Sequence, residues 1–329
     1  MLLFIASNEL LAQAQIPPPY SNANFSYIRT WDATAPETNP NAFMTRPLKD
    51  VKLVTQYVDG LGRPLQIVIK EGSLETATLA KVDMVNAVIY DNQGREIYKY
   101  LPFASTATDG TQNNGNFKLN PFQQQASFMS AQYGAQGESY FYGKTNYEAS
   151  PLNRVTESYA PGISWAGSEG TVSPHSVQEK YFNNTTVDDV KIWNVTDVLN
   201  AFGTYSTSAS YGAGQLYKSI SIDEQGKQII QFMDKEGKVV LKKVQLTAIA
   251  DDGTGRDYMG WLSTFYIYDD LNNLRAVIQP QAVKLMYEAS NWDLTAYLNE
   301  QCFRYEYDAR NRMIMKKAPG AGEVWMVYD

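Results

Sequence analysis

Among the aspartates of the 329-residue chain that are followed three residues later by glycine or asparagine, six stretches stand out, and in five of them the next residue is arginine or lysine. The stretches begin at Asp59 (with Gly62 and Arg63), Asp91 (Gly94, Arg95), Asp223 (Gly226, Lys227), Asp234 (Gly237, Lys238), Asp269 (Asn272, Asn273) and Asp308 (Asn311, Arg312). Glycine and asparagine are the residues that most readily take a left-handed backbone. An aspartate side chain can accept a hydrogen bond from the backbone two residues on, and a left-handed residue closes a three-to-five-residue hairpin loop, often with a bulge. Each stretch is therefore expected to be one β-hairpin, with its glycine or asparagine at positive φ.

The flanks carry strand periodicity. Phe303, Tyr305 and Tyr307 alternate with Arg304 and Glu306, and Ile220 and Ile222 alternate with Ser219 and Ser221. Between Asp223 and Asp234 there is room for one turn and one short strand, Gln228 to Met233, which predicts a three-stranded meander. Such hairpins cannot bury an apolar face alone and stack on their neighbours. The expected fold is all-β with minor helical insertions, built of repeated hairpins in a twisted sheet.

Composition sets outer limits. A chain of this length with 44% hydrophobic residues buries a substantial core. With 28 basic against 35 acidic residues the net charge is −7, and no basic cluster exceeds Lys242-Lys243, so nucleic acid is not an expected partner. A single cysteine, Cys302, and a single histidine, His175, exclude an internal disulfide framework and a Cys/His zinc cluster. Nowhere is there a run of about 20 apolar residues, so no transmembrane segment is expected.

Residues 1–14 read as a truncated signal peptide: Met1 to Ala6 is apolar and Ala12-Gln13-Ala14 has the small-x-small form of a cleavage site, although no basic region precedes it. Residues 15–50, with Pro17-Pro18-Pro19, read as an extended lead-in. A β domain is expected over 51–246, with an insertion at about 102–215 where the turn repeat lapses. A short helix is expected after Asn120-Pro121, and irregular strands and long loops over 133–176. A second repeat segment is expected over 247–329, with a helical pair at about 281–300 carried by Val283, Met286, Leu294, Tyr297 and Leu298. Val324, Met326 and Tyr328 alternate as a strand, and Tyr328-Asp329 begins a further turn, so the repeat is expected to be incomplete here.

No constellation points to catalysis. His175, in Ser173-Pro174-His175-Ser176, reads as a structural or surface residue, and Gly162-Ile163-Ser164-Trp165-Ala166 lacks the last glycine of a nucleophile elbow. The turn aspartates read as occupied by their own turns, and Asp251-Asp252 with Asp257 as a solvated loop, so no calcium or other metal site is expected. No cofactor is expected. Cys302 reads as a small buried apolar residue. The tyrosines and tryptophans read mainly as core and cross-strand pairs, with sugar stacking as the alternative.

The repeat resembles that of the Rhs or YD-repeat proteins, named for Tyr-Asp followed by Gly-Arg. Tyr90-Asp91 with Gly94-Arg95 fits fully, and Tyr268-Asp269 and Tyr307-Asp308 keep the first half. YVDGLGRPLQ at 57–66, KYLPFA at 99–104, SPLNRV at 150–155, APG at 160–162, DKEGKVVLKKVQL at 234–246 and the segment 302–329 occur in an order similar to the N-terminal region of Rhs-type proteins of Bacteroidota, over roughly residues 25–329. The resemblance implies hairpins coiled into a hollow β-cage that encloses a C-terminal effector, commonly a toxin. It also implies a non-enzymatic structural module (cage wall, plug or attachment region) of a secreted or cell-surface protein, with the rest of its own longer polypeptide as partner. A surface carbohydrate- or cell-binding module using exposed Tyr and Trp is the alternative.

Overall fold

The structure is a computed structural model that describes residues 16–75, 78–106, 112–163, 175–246 and 254–329. The expected leader at 1–14, the Ser164-Trp165 stretch and Asp251-Asp252 lie outside the described residues. The chain divides into two compact units, one up to Ser176 and one from Val177 onward. Both are built of antiparallel strands, with one α-helix in each among the described residues.

The first unit holds β1 (Ser26–Ala33), β2 (Val51–Val58), β3 (Pro64–Leu74), β4 (Lys81–Ala87), β5 (Tyr98–Tyr100), β6 (Phe103–Ala104), α1 (Pro121–Tyr133), β7 (Tyr142–Tyr147) and β8 (Val155–Tyr159). A five-stranded sheet runs β1-β2-β3-β4-β6, and β5, β7 and β8 form a separate antiparallel ladder. The residues expected to be irregular thus include a regular hairpin, β7–β8. Tyr57, Leu65, Val68, Val85, Phe103 and Phe117 build the core, and α1 caps it with Met129. Proline at the first helical position is tolerated because its missing N–H has no intrahelical partner to lose. Asn120, expected as the N-cap, makes no side-chain cap bond; its Oδ1 accepts the Gln124 side-chain amide at 2.7 Å instead.

One fully buried ion pair pins this unit. Asp83 on β4 accepts Lys118 Nζ at 2.7 Å and the Gly115 N–H at 2.8 Å on Oδ2, and the Glu71 N–H at 2.9 Å on Oδ1. Glu71 sits at φ 52° in the register break of β3, so the carboxylate stabilises a bulge as well as a charge. Gln66 extends the same device, exchanging two hydrogen bonds with the Lys118 backbone at 2.6 and 3.0 Å.

The second unit holds β9 (Val177–Asn183), β10 (Lys191–Val198), β11 (Ala201–Ser210), β12 (Tyr217–Ile222), β13 (Gln228–Met233), β14 (Val239–Gln245), β15 (Trp261–Tyr268), β16 (Leu274–Ile278), α2 (Pro280–Glu288), β17 (Cys302–Tyr307), β18 (Met313–Lys317) and β19 (Glu323–Trp325). Strands β12 to β19 pair in sequence order, β9 pairs with β12, and β10–β11 is a separate hairpin. Ile220, Ile230, Phe232, Leu241, Phe265, Ile267 and Ile278 form the core, and Ala282, Val283 and Met286 of α2 pack into it. Of the helical pair expected at 281–300, only the first is an α-helix. The second is a single 3₁₀ turn, Thr295–Tyr297, which Leu294 anchors in the core while the half-buried Tyr297 and Leu298 pack against it. Cys302 is buried, and burial pushes its thiol up to about 12. Regular pairing of the last strand stops at Trp325, short of Met326 and Tyr328.

Lys243, read from sequence as half of a basic pair, is fully buried in this core. Its ammonium donates to the Asp257 carbonyl at 2.8 Å and lies 4.3 Å from the centre of the Tyr258 ring. Burial pulls the amine down to about 8, so the folded state releases its proton more readily than the unfolded chain, whose lysines titrate near ~10.4. Stability from this group therefore rises with pH between about 8 and ~10. Chemical unfolding across that window should show the gain in the wild type and lose it in Lys243→Met.

Candidate functional site: the turn ladder and the Arg275 cleft

All six turn residues lie at positive φ: Gly62 80°, Gly94 80°, Gly226 77°, Gly237 83°, Asn272 66° and Asn311 57°. In every turn the aspartate N–H bonds the carbonyl four residues on, and the left-handed residue's N–H bonds the aspartate carbonyl, at 2.9–3.1 Å. One carboxylate oxygen then accepts two backbone donors. Asp91 Oδ1 takes Gln93 and Arg95 at 2.9 and 2.8 Å, and Asp308 Oδ1 takes Arg310 and Arg312 at 2.8 and 2.9 Å. Asp59, Asp223, Asp234 and Asp269 repeat the pattern.

In the Asp59, Asp91, Asp234 and Asp308 turns the second carboxylate oxygen holds the fifth residue's cation. Arg63, Arg95 and Arg312 place Nε 2.8–2.9 Å from Oδ2 of Asp59, Asp91 and Asp308, and Lys238 Nζ lies 2.9 Å from Asp234. Fixed there, the cation reaches the next turn along the same sheet end. Arg63 stacks on Tyr90 at 4.3 Å, Arg95 on Tyr147 at 4.9 Å, Lys238 over Tyr268 at 5.8 Å and Arg312 on Tyr328 at 4.6 Å. The left-handed residue of the next turn is touched too: Lys238 donates to Asn272 Oδ1 at 2.8 Å and Asn273 to Asn311 Oδ1 at 3.2 Å. At Gly94 a Cβ would sit 2.7 Å from the Arg63 guanidinium. Tyr90, Tyr147, Tyr268 and Tyr328 are thus landing sites for the cation of the preceding turn.

This geometry exposes a turn inside the gap where the repeat was expected to lapse. Glu148, after Tyr147, bonds its N–H to the Arg154 carbonyl at 3.0 Å, and Asn153 lies at φ 51°. Glu148 receives Arg154 Nε at 3.0 Å, and Arg95 donates to Asn153 Oδ1 at 3.1 Å. The loop is two residues longer and the longer glutamate arm spans it. The spacing rule misses it for that reason, although Tyr-Glu followed by Asn-Arg was the available signal.

In the second unit a cleft of about 560 Å³ opens between the β10–β11 connection and the Asp269 and Asp308 turns. Its floor is Arg275, which is 5% exposed. Arg275 binds Asp197 at 2.8 Å and Asp269 at 3.1 Å, and it donates to Glu306, whose other oxygen takes the Gly203 N–H at 2.7 Å. A Cβ at Gly203 would meet the Thr196 carbonyl at 2.9 Å, so glycine is needed for this approach. The cluster ties hairpin β10–β11 to β16 and β17, and its carboxylates are engaged by Arg275. His175 is half-buried in the other unit. Among the described residues no group of three or more His, Cys, Asp or Glu is placed to hold a metal ion.

The turn donors hold several carboxylates below their ordinary range: Asp59 and Asp308 through the backbone N–H of Arg63 and Arg312, and Asp91 through Arg95 against opposing desolvation. The Arg154 side chain and Ser150 hold Glu148 down to about 2. Groups lowered on folding contribute stability above the unfolded value near ~4 and lose it as pH falls through the folded value. The melting temperature should therefore fall steeply between about pH 4 and 2, and Glu148→Gln should lower it at neutral pH while flattening that acid limb. At Gly237, where a Cβ meets nothing within 4 Å, replacement by Asn should be nearly neutral. Val at either Gly237 or Gly94 should cost about 1–3 kcal/mol in urea melts.

A family model described as a domain of unknown function (DUF6443) matches residues 29–178. No curated protein matches the chain. Among solved structures it is similar to a crystal structure of TcdB2-TccC3-TEV, with 14% identity and a TM-score of 0.48 over 86% of this chain and 11% of that one. TcdB2-TccC3 without its hypervariable C-terminal region gives 14% identity and a TM-score of 0.48 over 85% and 11%. The Photorhabdus luminescens Tc holotoxin pore gives 13% and 0.40 over 81% and 11%. The chain thus spans about a ninth of the length of these structures' chains.

Proposed function

We propose that this chain is a non-enzymatic structural module of a longer, secreted or surface-exposed Rhs/YD-repeat polypeptide. It serves as cage wall, plug or attachment region for a C-terminal effector, and its partner is the rest of that polypeptide. The observation that carries this reading is the turn ladder: one turn solution recurs, and its carboxylates, cations and tyrosines are engaged in bonding to their own and the next turn. Side chains occupied in this way extend a wall. The Tyr-Asp to Gly/Asn-Arg pattern and the match of residues 29–178 support it. No helix among the described residues is long and apolar enough to cross a membrane.

Sugar stacking has no comparable support. Tyr100 and Tyr140 each pack against Tyr142, and Trp193 packs edge-on against the buried Phe265. The test is loss of function without loss of fold. His175→Ala should leave any biological activity of the full-length protein within a few-fold of wild type. Activity lost by orders of magnitude at an unchanged melting temperature would replace the scaffold by an enzyme.

A further inference from the structure

Edge strands of folded proteins are normally kept short, bulged, or guarded by proline and lysine. The edges formed by β5, β6 and β19 obey this, at three, two and three residues. β1 does not. It runs eight residues, Ser-Tyr-Ile-Arg-Thr-Trp-Asp-Ala, in unbroken register with β2, without glycine, proline or lysine, and pairs on one side only among the described residues.

The direction of its free hydrogen-bonding groups follows from one bond. Thr34 donates to the Asp50 carbonyl at 3.0 Å in continuation of the β1–β2 register, so Asp32, Thr30 and Ile28 face β2. The N–H and C=O groups of Tyr27, Arg29, Trp31 and Ala33 therefore point out of the sheet. The side chains of these same residues stand opposite Tyr57, Thr55, Leu53 and Val51, all buried, and so lie on the core face. Yet Tyr27 is 52% and Trp31 37% exposed. The core layer is carried past the edge and is only partly covered there, Trp31 stacking on Phe43 and Arg29 lying over the Tyr27 ring and donating to Asn116.

We propose that the free edge of β1 is a homotypic docking surface, on which a second copy of this chain pairs its own β1 antiparallel about a two-fold axis centred on Thr30. The strand is complementary to itself in that register. Arg29 falls opposite Trp31 of the second copy, a cation-to-aromatic pair made twice, and Thr30 falls opposite Thr30. The outward residues face each other as hydrogen-bonded pairs. Sliding two residues one way sets Arg29 against Arg29, and sliding the other way leaves the strand ends unpaired. This goes beyond the scaffold reading, which concerns turns at the sheet end and makes no use of the β1 edge.

A pair centred on Thr30 brings the two Thr30 Cα atoms to roughly 4.5 Å, within disulfide range, while the two Ile28 positions lie about 14 Å apart. Cys302 is buried, so an introduced thiol reports its own site. Under mild oxidation Thr30→Cys should form a covalent dimer roughly tenfold faster than Ile28→Cys, through the raised local concentration of paired thiols. Arg29→Pro removes one outward donor and leaves the β1–β2 bonds intact. It should abolish concentration-dependent dimerisation in sedimentation while preserving the circular dichroism spectrum. A wild-type chain that stays monomeric at every concentration, or equal cross-linking at positions 28 and 30, would overturn the proposal; an edge that pairs only with a strand of another protein gives that same monomeric result.

Discussion

The fold depends on one aspartate oxygen that accepts two backbone N–H groups across a five-residue turn. That interaction fixes the chain reversal and makes the left-handed residue necessary; four of the turns also carry a bulge, while the Asp223 hairpin keeps an unbroken register. Register breaks follow at Tyr57/Val58, Phe232/Met233, Ile267/Tyr268 and Glu306/Tyr307. A charged acceptor makes stronger hydrogen bonds than a neutral one, and a carboxylate with one oxygen engaged by backbone keeps the other for a cation. Held in this way, the arginine or lysine points sideways to the neighbouring turn.

Antiparallel pairing in sequence order then separates the two ends of the second unit's sheet. The Asp234, Asp269 and Asp308 turns share one end, while the Asp223 turn, the Leu246–Gly260 connection, α2 and the Gly320 turn share the other. One end is uniform and coupled, and the other is free to vary in length. Hairpin β10–β11 is fastened near the uniform end through Arg275, and that fastening is sensitive because removing the guanidinium would leave Glu306, only 10% exposed, without its countercharge.

The hairpins were legible in the sequence because their chemistry is local: Asp59 to Arg63 contains every atom of its turn. The same locality explains the failures. Glu148 escaped the spacing rule because an extra methylene and two extra residues make an equivalent turn with a different count. The Asp83–Lys118 pair, 35 residues apart, and the Arg275–Glu306 pair have no local signature at all. Lys243 reads in the sequence only as half of the basic pair Lys242-Lys243, whereas strand alternation turns Lys243 into the core. Leu294, Tyr297 and Leu298 had helical spacing but too short a segment to nucleate more than one 3₁₀ turn.

The central claim is that successive turns are energetically coupled through the fifth-position cation and the following tyrosine. A double-mutant cycle on Arg63→Met and Tyr90→Leu measures it directly, because the two residues belong to different turns and lie in contact at 4.3 Å. The account predicts a coupling energy of about 0.5–1 kcal/mol in urea unfolding, with the pair losing less than the sum of the single variants. Losses that add to within about 0.3 kcal/mol would show that each turn stands alone and that the ladder is geometry without energy.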